Sequence, residues 1–174
     1  ILAVPSLLAE RRIDPVRIFA TVGLDPRLLD DPENRISFQD LGRLLAACAD
    51  ATGCPHFGLM AVERYGPDSL GTVGHQMRNS PTVSEALRNV QLHLHLNDRG
   101  AALFLLRLDP ERVALCCTIF WHDTHATSLI YDAALAVAHK ALRELCGPGW
   151  KPLTVQFAHR RPAATLPYKR FFGV

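Results

Sequence analysis

The residues whose types most directly suggest chemistry are two histidines three positions apart with a carboxylate between them, His122-Asp123-Thr124-His125. Imidazole nitrogens and carboxylate oxygens are zinc ligands, and a zinc site needs three or four of them at suitable spacing. No third ligand is evident at such a spacing, and Asp123 serves equally well as the N-cap of a helix. We therefore expect a helix start here and no bound metal.

Motifs for catalysis are missing from the sequence. Nucleophilic catalysis needs a serine or cysteine activated by a base, typically at a sharp glycine-flanked turn. No GxSxG motif, Walker loop or dinucleotide-binding glycine pattern occurs. The five cysteines form no CxxC pair, so we expect reduced, mostly buried thiols of a cytoplasmic protein. The sequence thus predicts no catalytic residue, no cofactor and no enzyme.

A second set of side chains is expected to line a ligand pocket between the predicted sheet and the helices. Such pockets are mostly apolar and carry a few polar groups that orient the ligand. The predicted ligand-binding residues are His93, Phe104, Trp121, His122 and Tyr131. Trp121 and His122 mark where a strand is expected to become a helix, and the N-terminus of a helix favours an anionic group. We therefore expect a small organic acid or an amino-acid-like molecule, with a packed core as the alternative reading of each residue.

Helix caps punctuate the first hundred residues. The predicted caps and stops are Asp14-Pro15 with Gly23, Ser37-Asp40 with Gly53, and Thr82-Glu85. A further helix is expected at about 55–66. The helix after Thr82 carries apolar residues on two sides, since Leu92 and Leu96 lie opposite its main stripe. It is therefore expected to be covered twice or to line an interface.

Apolar residues recur at every second position after residue 100. Two such runs, at about 101–108 and 113–121, flank the turn Asp109-Pro110-Glu111 and predict a hairpin. A long helix is expected from about Asp123 to Cys146, and a third alternating run at 153–158 predicts another strand. The order predicts an α+β fold in which N-terminal helices precede a β-β-α-β unit, with a small antiparallel sheet packed against helices.

Composition is that of a globular protein. The 174 residues are 48% hydrophobic and 21% charged, which fits a single domain over residues 1–174. No apolar run approaches the roughly 20 residues that a membrane-spanning helix needs. The net charge is only +2, although every charged residue from Lys151 onward is basic. A DNA-binding domain is usually far more basic, so we expect this basic region to be a solvated surface.

Three segments together resemble a known family. They are Asp25-Pro26 through Asp31-Pro32 to Ile36; Gly58-Leu59 through Leu70-Gly71 to Ser80-Pro81-Thr82 and Glu85-Ala86-Leu87; and Gly149-Trp150-Lys151-Pro152 followed by Val155 to His159, Pro162, Tyr168 and Phe171-Phe172-Gly173. Their order and spacing, over about Ile13 to Gly173, are similar to the N-terminal arabinose-binding-type domain of AraC-family transcription regulators.

The resemblance implies a cytoplasmic bacterial regulator domain that senses a small-molecule effector and controls a DNA-binding domain. In the family two helix-turn-helix units follow the sensor, so DNA is expected to be bound only through that C-terminal domain, which this sequence does not include. The arabinose label does not transfer, since no sugar-stacking arrangement can be assigned. Two alternatives stay open: a ligand-free dimerisation module, with a homodimer as partner, and a metal-dependent enzyme that uses His122 and His125.

Overall fold

Helices dominate the chain in a computed structural model, which describes residues 2–31, 34–64, 71–120 and 126–174. The elements of these residues are α1 (Val4–Glu10), α2 (Pro15–Thr21), a 3₁₀ turn (Pro26–Leu29), α3 (Phe38–Thr52), α4 (Phe57–Glu63), α5 (Gly71–Arg78), α6 (Val83–Asn97), β1 (Ala101–Arg107), β2 (Val113–Ile119), α7 (Thr127–Cys146) and α8 (Leu166–Phe172). The predicted α+β class is confirmed.

Three predicted helix starts are confirmed by their capping bonds. The side chains of Asp14, Ser37 and Thr82 each accept a hydrogen bond from a backbone N–H two or three positions on, at 3.0, 3.0 and 3.2 Å. These bonds satisfy N–H groups that the first turn of a helix leaves without a partner. The start predicted for α7, Asp123, lies outside the described residues.

The predicted hairpin is also confirmed. Strands β1 and β2 pair antiparallel, from Ala101 opposite Ile119 to Arg107 opposite Val113. Successive side chains of a strand point to opposite faces. Leu103 faces a cluster of helical residues, whereas Phe104 and Leu106 lie on the other face and are 42% and 50% exposed. One face of the hairpin is therefore apolar and open; we call it the outer face.

The third predicted strand is wrong. Residues 153–158 form neither helix nor strand, and the sheet of the described residues contains only β1 and β2. Val155 and Phe157 pack against a cluster of helical residues from α4, α7 and α8, while Leu153 is 83% exposed. An alternation of apolar and polar residues indicates only that one side of an extended segment is buried. Here helices bury that side, so the segment needs no neighbouring strand.

The described residues fall into two compact units, and α7 contributes residues 127–139 to the first and 140–146 to the second. The first unit also holds α1 to α4 and the segment 151–174. Its largest fully buried side chains include Phe19, Leu44 and Phe57. The second unit holds α5, α6 and the hairpin around a core of Val73, Met77, Ala86, Val90 and Ala141. The single domain over residues 1–174 stays a prediction.

Within the first unit, α4 lies unusually close to the start of α7. A Cβ atom built on Gly58 would stand 2.0 Å from the carbonyl oxygen of Leu129, far inside van der Waals contact. Only glycine allows this approach. The approach helps to place the N-terminal part of α7, which carries the most deeply buried carboxylate among the described residues.

Candidate functional site

That carboxylate is Asp132, which is 1% exposed. Its Oδ1 accepts a hydrogen bond from Nε2 of His159 at 3.0 Å, and its Oδ2 accepts one from the hydroxyl of Tyr168 at 2.7 Å. A buried carboxylate is costly unless donors satisfy it. Asp132 therefore fastens the segment 151–174 to α7 at two points.

His159 is held between two acceptors. While Nε2 faces Asp132, Nδ1 lies 2.9 Å from the backbone carbonyl oxygen of Arg160. Neither a carboxylate nor a carbonyl can donate, so both bonds form when both ring nitrogens carry hydrogen. In that state the imidazolium and the carboxylate make a neutral pair.

Tyr168 is the second donor to Asp132, and its hydroxyl is kept protonated. Burial raises the pKa of Tyr168 above its ordinary value of 10.0, and the hydrogen bond to Asp132 and the charge of that carboxylate raise it further. A phenolate here would face a carboxylate in a site with little water. Tyr168 is thus a hydroxyl donor at any physiological pH.

Aromatic rings pack around this network. Phe157 meets Tyr168 edge to face, with ring centroids 5.3 Å apart at 87°, and meets Phe172 at 5.8 Å and 72°. Edge-to-face geometry is a favoured arrangement of aromatic pairs. These three rings form an apolar surface on the segment 151–174.

A cavity of about 380 Å³ opens over this surface. We call it the 155–174 cavity, because all its lining residues come from that segment. Its apolar floor includes Val155 and Phe157, and the exposed side chains of Arg161 and Lys169 stand at its opening. A second cavity of about 290 Å³ shares His159 and Tyr168 with it and reaches Asp132. The hydrogen-bonded network thus forms a wall between two neighbouring cavities.

Of the ligand-binding residues predicted from the sequence, those that the structure describes line neither cavity. His93 is half-buried on α6, with Nδ1 2.9 Å from the carbonyl oxygen of Asn89. Phe104 lies on the outer face of the hairpin, and both residues belong to the second unit, whereas the half-buried Tyr131 belongs to the first. Trp121 and His122 lie outside the described residues. A site common to all five stays a prediction.

Sequence reasoning missed the network for identifiable reasons. The sequence indicated His159 and Tyr168 only as part of the family resemblance, and hydrogen bonds across 27 and 36 positions leave no periodic signal. One signal was present at Asp132, the first acidic residue of α7, which is followed by ten residues rich in alanine. An isolated carboxylate in such a stretch indicates either a solvated face or a buried partner.

Other predicted features have mixed outcomes. All five cysteines are free, but only Cys48 is fully buried and Cys146 is exposed, so the prediction of mostly buried thiols is wrong. Burial raises the pKa of the Cys48 thiol to about 12, which makes it unreactive. Within the part of the chain that the structure describes, no group of three or more potential metal ligands occurs, and no helix is long and apolar enough to cross a membrane. His122 and His125 lie outside that part.

Comparison with known proteins identifies the family. The arabinose-binding domain of AraC transcription regulators, an N-terminal domain, matches residues 13–174. The chain is 24% identical over 172 residues to the ornithine utilization regulator of Pseudomonas aeruginosa. The aligned region covers 99% of this chain and 50% of that protein. The chain is 22% identical over 173 residues to the HTH-type transcriptional regulator VirS of Mycobacterium tuberculosis, covering 97% of this chain and 50% of that one.

The chain thus spans about half the length of the curated relatives it matches. The match to the family extends over most of the chain, including the segment that holds the buried network and the 155–174 cavity. It confirms the resemblance seen in the sequence, and it concerns a domain of transcription regulators, not of enzymes. The chain belongs to the family of N-terminal, arabinose-binding-type domains of AraC transcription regulators.

Proposed function

We propose that this domain senses a small-molecule effector in the 155–174 cavity and passes the binding event to a DNA-binding domain of the whole regulator. The observation that carries the proposal is the cavity itself, which has an apolar aromatic floor and a few polar groups at its opening. Its volume of about 380 Å³ lies within the range of small-molecule sites, roughly 300–1,000 Å³.

The buried network can couple effector binding to the position of α7. His159 and Tyr168 line the cavity and both bond to Asp132 on α7. A ligand changes a conformational equilibrium only if it binds one conformation better than another. An effector whose contacts favour the bonded positions of His159 and Tyr168 would stabilise the conformation in which α7 and the segment 151–174 are fastened together.

A thermal-shift screen of organic acids, amino acids and sugars, followed by calorimetric titration of the hits, tests the placement of the effector. Phe157→Leu removes a ring from the cavity floor. We expect it to weaken the binding of a hit about fivefold, since an aromatic contact contributes about 1 kcal/mol. Phe171→Leu is the matched control, because Phe171 packs against the same cluster without lining the cavity.

The alternative site predicted from the sequence is tested in the same titration with Trp121→Ala. A hit that loses affinity in Trp121→Ala and keeps it in Phe157→Leu would place the effector at the seam of sheet and helices, and our placement would be wrong. If Phe157→Leu and the wild type bind the hit with the same affinity, the placement of the effector in the 155–174 cavity would also be wrong.

The outer face of the hairpin favours a second candidate function, dimerisation. Its residues carry no charge; they are Ala102, Phe104, Leu106, Ala114, Cys116 and Thr118. Two copies can therefore meet there around a two-fold axis without like-charge repulsion. On α6, in the same unit, Leu92 and Leu96 are also exposed. We propose a second copy of this chain as the partner of this face.

Light scattering coupled to size-exclusion chromatography tests the dimer. The wild type is expected to run at twice the mass of the chain, and Leu106→Glu at the mass of one chain, since a buried unpaired carboxylate opposes association. Leu153→Glu, at an exposed leucine outside the hairpin, should leave the dimer intact. A wild type that stays monomeric throughout the micromolar range would rule this candidate out.

A further inference from the structure

The charged side chains that line the 155–174 cavity have one sign. Arg161 and Lys169 are the charged side chains at its opening, and none of the described residues that line it is acidic. The nearest buried carboxylate among the described residues, Asp132, is already hydrogen-bonded to His159 and Tyr168. Two cations at the mouth of a concave apolar site raise the local concentration of anions.

Neither cation is committed to another group. Among the ion pairs and side-chain hydrogen bonds of the described residues, none involves the guanidinium of Arg161 or the ammonium of Lys169. Every other charged side chain from Lys151 onward is also basic, so no acidic side chain of this segment can pair with these two cations. An anionic group of a ligand can therefore pair with both.

The polar groups of the lining are poorly suited to a sugar. The hydroxyl of Tyr168 donates to Asp132, and both ring nitrogens of His159 are already bonded. Besides these two side chains and the two cations, Thr165 is the remaining polar side chain of the lining. A sugar needs partners for several hydroxyl groups, and a hydroxyl group that is buried without a partner weakens binding. The floor offers aromatic rings instead.

We infer that the 155–174 cavity takes a monocarboxylate with an aromatic or aliphatic body, the carboxylate lying at Arg161 and Lys169 and the body on the floor around Phe157. The inference rests on the proposed function, because it names the class of effector for the same site. It also departs from the family label, since arabinose lacks both a charge and an apolar body.

Three probes of nearly equal size separate charge from shape: 3-phenylpropionate, 3-phenylpropanol and 3-phenylpropylamine, with L-arabinose as the fourth. Calorimetric titration up to about 10 mM covers the affinities of such small ligands. We expect the carboxylate to bind about tenfold more tightly than the alcohol, as two ion pairs at a partly exposed site would give. The amine and arabinose should show no heat of binding.

Substitutions isolate the two cations. The double change Arg161→Gln with Lys169→Gln should bring the affinity of 3-phenylpropionate down to that of the alcohol and leave the affinity of the alcohol unchanged. Arg170→Gln is the matched control, since Arg170 is an exposed basic neighbour on α8 that lines neither cavity. These residues are exposed, so the variants should fold like the wild type.

The outcomes distinguish the two levels of inference. Equal affinity of the alcohol and the carboxylate, or of the carboxylate for the wild type and the double variant, would overturn the monocarboxylate inference and leave the cavity as a site. Tight binding of arabinose that Phe157→Leu weakens would do the same. If none of the probes binds, the monocarboxylate inference is also overturned. The proposed function is overturned only if, in addition, Phe157→Leu changes the affinity of no hit from the screen.

Discussion

One buried carboxylate accounts for much of the local structure at residue scale. Asp132 receives donors from two residues of the segment 151–174, which has no strand and a single short helix of its own. A segment with so little regular structure must satisfy polar groups and bury rings through long-range contacts. Removing one partner of a buried, bonded charge typically costs about 3–5 kcal/mol, so the segment is strongly fastened at this point.

Tyr168 should make the protein sensitive to alkali. Because its pKa is higher in the folded protein than the ordinary 10.0, the folded state holds the phenolic proton more tightly than the unfolded state. Its contribution to stability is complete below about pH 10 and is lost as the pH rises from there towards the folded pKa, by about 1.4 kcal/mol per pH unit. Urea unfolding at a series of alkaline pH values measures this slope.

The comparison for this slope is Tyr168→Phe, which lacks the ionising group. It should be less stable than the wild type at neutral pH, because Asp132 loses a donor, and its free energy of unfolding should fall less steeply above pH 10. Equal slopes for the two proteins would show that Tyr168 ionises alike in the folded and unfolded states.

Residue types and spacing could not have revealed this network. The sequence predicted its pocket residues around Trp121 and His122 because an aromatic ring and an imidazole are adjacent there. Local patterns report neighbours within a few positions, whereas the bonds to Asp132 join residues far apart in the chain. The isolated Asp132 in an alanine-rich helix was the available signal. It did not specify a site, because the sequence does not show which residues bond to it.

At the scale of elements, the sequence predicted those helices and strands whose determinants are close together in the chain. Helix α3 was predictable because its N-cap at Ser37 and its left-handed end at Gly53 are set by neighbours in sequence. The hairpin was predictable because its turn and its alternating runs are contiguous. The run at 153–158 alternates equally well, but whether a sheet or helices cover it depends on distant elements.

Gly58 gives the sharpest element-scale prediction. Gly58→Ala must push α4 away from the backbone of Leu129, so we expect a loss of about 3 kcal/mol in the free energy of unfolding, at the upper end of overpacking costs. Gly149→Ala is the control, since no heavy atom lies within 4 Å of a Cβ there, and it should change stability by less than about 0.5 kcal/mol. Chemical denaturation measures both, and similar stabilities of the two variants would contradict the close approach.

At the scale of the whole molecule, composition and the order of elements predicted the α+β class. The resemblance of three segments predicted the family, but nothing in the sequence predicted the division into two units. The units interleave along the chain, with α7 shared between them, so no linker or change of composition marks a boundary. The residues predicted for the effector site come from both units. The 155–174 cavity, by contrast, needs only one of them.

The hairpin has a consequence for the protein outside its folded state. Residues 101–106 and 113–119 are two uncharged, proline-free and mostly apolar runs, and each forms an edge in the described sheet. Runs of this kind stack readily into cross-β fibrils once they are exposed. Heating that opens the hairpin would therefore expose these two runs to association with other chains. A lysine placed on the outer face would act as a gatekeeper against fibril growth.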